Sequence, residues 1–177
     1  MGLAKIKNSK RKLMNLLWTS AEQTTIRPIS ANNLSRKFDR LAELTQVKDL
    51  KPLLGYDMFQ DLIQNPTSTA NAKLLAGGTF TYNGVTYTFD GLKYVLANFF
   101  FANYIVDNLE DTFTGFVTKS NEDSQPASQG DKKNLRDLAV ETALQYWEDC
   151  KKYIEANSSS FPYYDCSKPR NNRLITI

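Results

Sequence analysis

The sequence predicts a mainly helical protein: a bundle of about four helices with one inserted β-hairpin and extended arms at both ends. Apolar residues recur at three- and four-residue steps over several segments, which is typical of amphipathic helices. Asn83-Gly84 separates two runs that alternate threonine with apolar residues, and this dipeptide favours a two-residue hairpin turn. Sustained periodicity is missing from residues 1–31 and 158–177. We therefore expect a basic N-terminal arm, a helical domain at 32–157 and an extended C-terminal tail.

The length and charge of the chain set the first bounds on function. A chain of 177 residues, 41% of them hydrophobic, is about one domain long and can bury a substantial core. Its net charge of +3 is uneven, because residues 1–30 hold six Lys or Arg against one Glu. A basic cluster of this kind favours an acidic partner, either nucleic acid or protein, although a solvated terminus is an equal alternative. Its members are Lys5, Lys7, Lys10, Arg11 and Lys12.

The first predicted helix is capped by Asn32 or Asn33. Its apolar side chains share one face: Leu34, Phe38, Leu41, Ala42 and Val47. Pro52 suits the first turn of a second helical segment, and Gly55 allows a bend within it. The apolar face resumes after the bend at Tyr56, Phe59, Leu62 and Ile63. Residues 65–72 are small and polar, and we expect a surface loop there.

The predicted hairpin spans residues 78–89. A turn at Asn83-Gly84 sets Tyr82 opposite Val85 and Phe80 opposite Tyr87 on one face. Because a lone hairpin is marginal in water, we expect either that this face packs on something or that the opposite, threonine-bearing face adds to a sheet built with neighbours. The other face carries threonines: Thr79, Thr81, Thr86 and Thr88. Asp90 then caps a helix over 91–108 that is apolar almost all round and therefore central in the domain or covered by another subunit.

Residues 118–131 form a polar loop that is long for a compact domain. A helix over 132–157 is expected to cover the central helix with one stripe: Leu135, Leu138, Ala139, Thr142, Tyr146, Trp147, Cys150 and Ile154. The tail that follows ends in the β-prone residues 173–177. For Tyr163 and Tyr164, contact with another subunit and packing on their own domain are equally open.

Enzyme chemistry finds little support in this sequence. The chain has no histidine, so the commonest general base and the Ser-His and Cys-His nucleophile pairs are excluded. Two cysteines, Cys150 and Cys166, are too few for a disulfide framework or a zinc site, although a single bridge stays open. We expect no catalytic residue, no metal and no cofactor. An enzyme that uses carboxylates alone, for example Glu110-Asp111, is a remote alternative.

Four segments resemble, in order and spacing, a family of small neck proteins in tailed bacteriophages, encoded near the portal and capsid genes of crAss-like phages of Bacteroides and related prophages. The segments are VKDLKPLLGYDMFQDLI at 47–63, KLLAGGTFTYNGVTYTFDGLKYVLANFFFANYI at 73–105, TFTGFVTKSNEDSQPAS at 112–128 and ALQYWEDCKKYIEANSSSFPYYDC at 143–166. The resemblance implies a head-to-tail connector: a homo-oligomeric ring, expected to be twelve-fold, that binds the portal and other neck or tail proteins. Such a protein assembles in the host cytoplasm and resides in the neck of the virion.

Two sets of contact residues follow as hypotheses. The subunit interface is expected at Thr79, Thr81, Asn83, Gly84, Thr86, Thr88, Tyr163, Tyr164, Leu174 and Ile175. The basic cluster at the N-terminus is expected to contact the portal or packaged DNA. The chief alternative function is that of a DNA-binding accessory protein that uses this basic arm. No stretch reaches the 18 to 20 or so apolar residues that a membrane span needs, so no membrane partner is expected.

Overall fold

A computed structural model of the chain describes residues 14–29, 31–110 and 128–165. The predicted fold class is confirmed, since these residues form a mainly helical body with one antiparallel two-stranded hairpin. The expected N-terminal arm of residues 1–31 is wrong in its second half. Leu17 and Trp18 are buried in the core, and helix α1, Ser20–Ile26, packs on the body. Residues 1–13 lie outside the described part.

Two buried glutamines hold this N-terminal segment in place. Gln46 accepts a hydrogen bond from the Leu17 backbone N–H at 2.7 Å and donates one to the Asn15 carbonyl at 3.2 Å. Gln23 accepts from the indole N–H of Trp18 at 3.2 Å and donates to the Ala97 carbonyl at 3.2 Å. Because buried polar groups are costly without partners, these bonds specify one position for the segment.

Helix α2, Ala31–Thr45, continues without a break through a π turn, Gln46–Leu50, into α3, Lys51–Leu54. The π turn explains one wrong prediction. Val47 was expected in the core but is 43% exposed, whereas Leu50 is fully buried. A π turn holds more residues than an α turn, so it rotates the following side chains relative to the α-helical period. Gly55, with φ of +84°, ends this helical run.

Helix α4, Tyr56–Gln64, buries Phe59, Leu62 and Ile63 of the predicted apolar face, but the prediction is wrong for Tyr56, which is 63% exposed. The loop predicted at 65–72 is wrong in its second half, because α5, Thr69–Ala76, begins there. The Ser68 hydroxyl accepts the Asn71 backbone N–H and caps α5. The polar residues of this stretch serve as a cap and first helical turn rather than as a loop.

The hairpin connects α5 to the central helix. Strands β1, Gly78–Tyr82, and β2, Val85–Phe89, pair with the predicted register, Tyr82 with Val85 and Phe80 with Tyr87. Helix α6, Leu92–Glu110, follows and lies between α7 on one side and α1 and α2 on the other. Its buried side chains include Leu96, Phe99 and Phe100, so the prediction of a central helix is confirmed.

Helix α7, Gln129–Ala156, covers α6 along its length. Ser128 and Asp131 form a capping box at its start, so the last residues of the predicted polar loop 118–131 are helical; residues 111–127 lie outside the described part. Leu135 and Leu138, predicted in the covering stripe, are exposed, whereas Trp147 and Ile154 are buried.

The predicted extended tail at 158–177 begins as part of the body. After a short 3₁₀ turn, Ser158–Ser160, the side chain of Phe161 packs edge-on against Tyr153, and Tyr164 packs against Trp147. Both Phe161 and Tyr164 are buried. The chain therefore folds back along α7 before the described residues end at Asp165.

Candidate interaction surface

The base of the hairpin is locked between α5 and α6 by two glycines. A Cβ on Gly91 would lie 2.5 Å from the Gly77 nitrogen, and a Cβ on Gly77 would lie 2.5 Å from the Phe89 carbonyl oxygen. Both glycines also have positive φ values, +82° at Gly77 and +87° at Gly91, which side chains rarely tolerate. The two chain segments that lead into and out of the hairpin thus touch backbone to backbone, and this contact fixes where the hairpin leaves the body.

An aromatic cluster holds the near half of the hairpin on α7. The ring of Phe89 stacks on Tyr153 with centroids 4.5 Å apart, and Phe80 meets the same ring edge-on at 5.4 Å. Burial raises the pKa of the Tyr153 hydroxyl. Because aromatic pairs contribute beyond their buried area, this cluster supplies the support that an isolated hairpin lacks.

The far half of the hairpin carries exposed apolar side chains, which we name the tip patch: Tyr82, Val85 and Tyr87. They are 42%, 51% and 37% exposed. The predicted packing of this face is therefore seen at Phe80 and is incomplete at these three residues, while the alternative, in which the threonine face adds to a sheet built with neighbours, stays a prediction. The contacts with Tyr153 on α7 reach Phe80 and Phe89, and the Tyr87 ring stacks on Phe80 with centroids 5.5 Å apart.

The opposite face of the hairpin is exposed along its whole length. Its four threonines, predicted as interface residues, are all solvent-accessible: Thr79, Thr81, Thr86 and Thr88. At the turn, Asn83 and Gly84 have φ values of +51° and +77°, as the predicted turn requires. A Cβ on Gly84 would meet nothing within 4 Å. The turn therefore stands clear of the rest of the described protein.

The other predicted interface residues fall into two groups. Tyr163 is exposed. Tyr164 is buried against Trp147, so of the two roles left open for Tyr164 the structure shows packing on its own domain. Leu174 and Ile175 lie outside the described residues, as do the five basic residues of the N-terminal cluster: Lys5, Lys7, Lys10, Arg11 and Lys12. The structure therefore brings together only the hairpin members of the predicted interface.

A buried polar cluster at the π turn was not predicted from the sequence. The side-chain amide of Asn103 donates to Asp49 at 2.6 Å and to the Thr45 hydroxyl at 3.1 Å, and its carbonyl accepts from the Lys48 ammonium group at 3.0 Å. Burial raises the pKa of Asp49, and the hydrogen bond from Asn103 partly offsets this effect because it stabilises the charged carboxylate. The adjoining cavity, lined in part by Arg136, measures only about 20 Å³, room for roughly one water. This cluster joins α2 to α6 and offers no space for a substrate.

Cys150 offers no reactive thiol. It is fully buried in α7, and burial, helped by the carboxylates of Asp149 and Asp90, raises the pKa of its thiol well above the usual range. A reactive cysteine needs the opposite shift.

Among the residues that the structure describes, no group of three or more acidic, cysteine or histidine side chains is placed to hold a metal ion. None of the described helices is long and apolar enough to cross a membrane.

A protein family described as "Family of unknown function (DUF6712)" matches residues 50–173, more than half of the chain. The chain belongs to the DUF6712 family. The part of the chain that matches the DUF6712 family includes the hairpin, the central helix α6 and helix α7, whereas α1, α2 and all but the last residue of the π turn precede it. No curated protein and no solved structure matches this chain.

Sequence reasoning assigned the DUF6712 hairpin's interface to its threonine face and missed the tip patch. The sequence carries no signal for it, because Phe80 and Tyr82 lie on the same strand and the same face. The support for the hairpin is the Tyr153 ring on α7, which contacts Phe80 and Phe89. The Tyr82 and Val85 pair beside the turn is the farthest from that support.

Proposed function

We propose that this protein is a structural, non-enzymatic component of a tailed-bacteriophage neck, where it forms a ring between portal and tail. The resemblance to phage neck proteins suggests the setting. The observation that carries the proposal is the tip patch: Tyr82, Val85 and Tyr87 are held in solvent on a rigidly anchored hairpin. Exposed aromatic side chains on a projecting element favour contact with another protein.

A ring repeats one contact around an axis, so each copy needs two different complementary surfaces. The hairpin offers the first. Exposed apolar residues on the helices offer the second, on α2 and its π turn and on α7: Leu44, Val47, Leu135 and Leu138. A twelve-fold ring would match the symmetry expected of the portal. In this proposal the N-terminal basic residues contact the portal or the packaged DNA.

The proposal is tested by the native mass and particle images of the purified protein, alone and with the portal protein encoded in the same genome. We expect closed rings of about twelve copies that bind the portal. The double variant Tyr82→Ser and Tyr87→Ser removes the aromatic side chains of the tip patch and is expected to abolish ring assembly, with only a small loss of thermal stability from the lost stacking of Tyr87 on Phe80. Tyr56→Ser is a matched control, because Tyr56 is also exposed but lies on α4.

Two results would count against this function. If rings persist in the double tip variant, the tip patch is not needed for assembly. If the chain stays monomeric with the portal present, the protein does not form the proposed ring. A salt-dependent shift of DNA that disappears when residues 1–12 are deleted would instead favour the DNA-binding alternative.

A further inference from the structure

The hairpin has two open edges. Within the described residues the sheet contains only β1 and β2, so one side of each strand lacks a partner strand. Natural proteins protect such edges with lysine, proline or bulges, because an open edge pairs readily with another chain. Residues 78–89 contain no charged residue and no proline, and the two strands pair in unbroken register. The hairpin therefore has none of these protections.

The pairing pattern shows which backbone groups are available at the edges. Tyr82 and Val85 flank a two-residue turn and bond to each other, and bonded and non-bonded pairs alternate along the strands from there. The pairs Thr81 with Thr86 and Thr79 with Thr88 are then the non-bonded ones. The backbone N–H and C=O groups of these four threonines consequently point outward, toward the open edges.

The C-terminal residues of the chain match the two faces of the hairpin. In an extended segment, alternate side chains lie on opposite sides, so Ile175 and Ile177 share one side and Thr176 lies on the other. At the β2 edge, a strand added in this way would continue the apolar side beside Val85 and Tyr87 and the threonine side beside Thr86. Residues 174–177 are also uncharged. The segment therefore suits an edge whose own strands alternate in the same way.

The path of the chain favours the hairpin of a different copy. Phe161 contacts Tyr153, which supports the hairpin base, whereas Tyr164 contacts Trp147, six residues earlier on α7. Six helical residues span about 9 Å, so the chain moves away from its own hairpin as it approaches Asp165. The remaining residues, 166–177, can span about 40 Å when extended. That length is sufficient to reach a neighbouring subunit.

We propose that residues 174–177 of one copy add as a third strand to an open edge of the hairpin of a second copy. This inference rests on the proposed ring and names the contact between neighbours: the hairpin accepts a strand and the C-terminal residues supply it. Strand addition of this kind gains affinity from backbone hydrogen bonds and specificity from alternate side chains. It is also a heterologous contact, as a ring requires.

Disulfide trapping between two differently tagged full-length chains tests the contact. Both chains carry Cys166→Ser, and the remaining Cys150 is buried and unreactive. One chain also carries Thr81→Cys or Thr86→Cys, one position for each edge, and the other carries Thr176→Cys. Because each chain has one introduced thiol, a disulfide between the tags joins two copies. We expect at least about tenfold more of it, for one of the two edges, than with the exposed control Thr24→Cys on α1.

Two further variants separate backbone pairing from side-chain contact. Thr176→Pro removes a backbone N–H and is expected to abolish association in native mass spectra, whereas Thr176→Ser keeps it. The inference would be overturned if neither edge gave more disulfide between the two chains than the Thr24 control. It would also be overturned if a third variant, with both cysteines in one chain, formed the disulfide only within that chain. Portal-bound rings without the trapped disulfide would overturn this contact and leave the proposed function standing. A trapped disulfide without portal binding would support this contact and count against the proposed function.

Discussion

Replacing Gly91 with alanine tests whether the hairpin is rigidly anchored. The new Cβ would lie 2.5 Å from the Gly77 nitrogen and from the Leu75 carbonyl oxygen, and 2.8 Å from the Ala76 carbonyl carbon. All three are backbone atoms, so relief requires α5 and α6 to separate. Overpacking costs about 1 to 3 kcal/mol, and a left-handed φ adds about 1 to 2 kcal/mol for a residue with a Cβ. We therefore expect Gly91→Ala to lower the free energy of unfolding by about 2 to 5 kcal/mol.

Gly84→Ala is the matched control, because Gly84 also has a positive φ but has open space around it. It is expected to cost only the backbone term, about 1 to 2 kcal/mol. Urea unfolding followed by far-UV circular dichroism measures both variants, with unchanged m-values as the check that the transitions are comparable. If Gly91→Ala destabilises the protein no more than Gly84→Ala does, the backbone contact at the hairpin base does not anchor the hairpin.

Three further changes test the surrounding structure. Tyr153→Ala removes the ring beneath the hairpin and is expected to cost about 3 to 5 kcal/mol in urea unfolding; a cost under about 1 kcal/mol would mean that the cluster does not support the hairpin. Gln23→Ala leaves the Trp18 indole N–H without its acceptor and opens a cavity, so the free energy of unfolding is expected to fall by about 2 to 3 kcal/mol. Tryptophan fluorescence is expected to show increased exposure of Trp18. Burial raises the pKa of Asp49, so the folded protein keeps that proton to a higher pH than the unfolded chain and loses stability as pH rises through the folded pKa. Asp49→Asn is therefore expected to gain stability relative to the wild type as pH rises above about 4, where the carboxyl of the unfolded chain ionises, and a difference that does not change with pH would contradict the assignment.

The hairpin and the central helix could be predicted because their signals are local. Asn83-Gly84 specifies the turn and the register, and the nearly continuous apolar surface of α6 indicates a buried position. Both features depend on residues close together in the chain. The same holds for the apolar face of α4, where Phe59 and Leu62 are buried as expected.

The remaining features depend on contacts between distant residues. Gln23 and Gln46 carry no periodic signal, yet their bonds to partners far along the chain place residues 14–29 in the body. The capping box of Thr19 and Glu22 was the one local clue to α1. Val47 was misplaced because a π turn cannot be read from an α-helical period. Asn103, which donates a hydrogen bond to Asp49 in this turn, lies on a different helix.

The position of the tip patch depends on how far the body extends beneath the hairpin. Tyr82 and Phe80 belong to the same strand and the same face, and nothing in their spacing distinguishes them. Only the position of Tyr153 on α7 shows that Phe80 is covered and Tyr82 is not. The exposed surface of the hairpin was therefore predicted for the threonine face but not for the tip.

The bonds between Gln46 and the chain at Leu17 and Asn15 also limit where the N-terminal positive charges can go. Lys12 must stay within about 7 Å of Met14, and Lys5 within about 30 Å, the lengths of fully extended chain. In the proposed ring, every copy would carry these cations within that reach of the same level along the axis. The result would be a broad band of positive potential whose position on the particle is limited by a single buried amide.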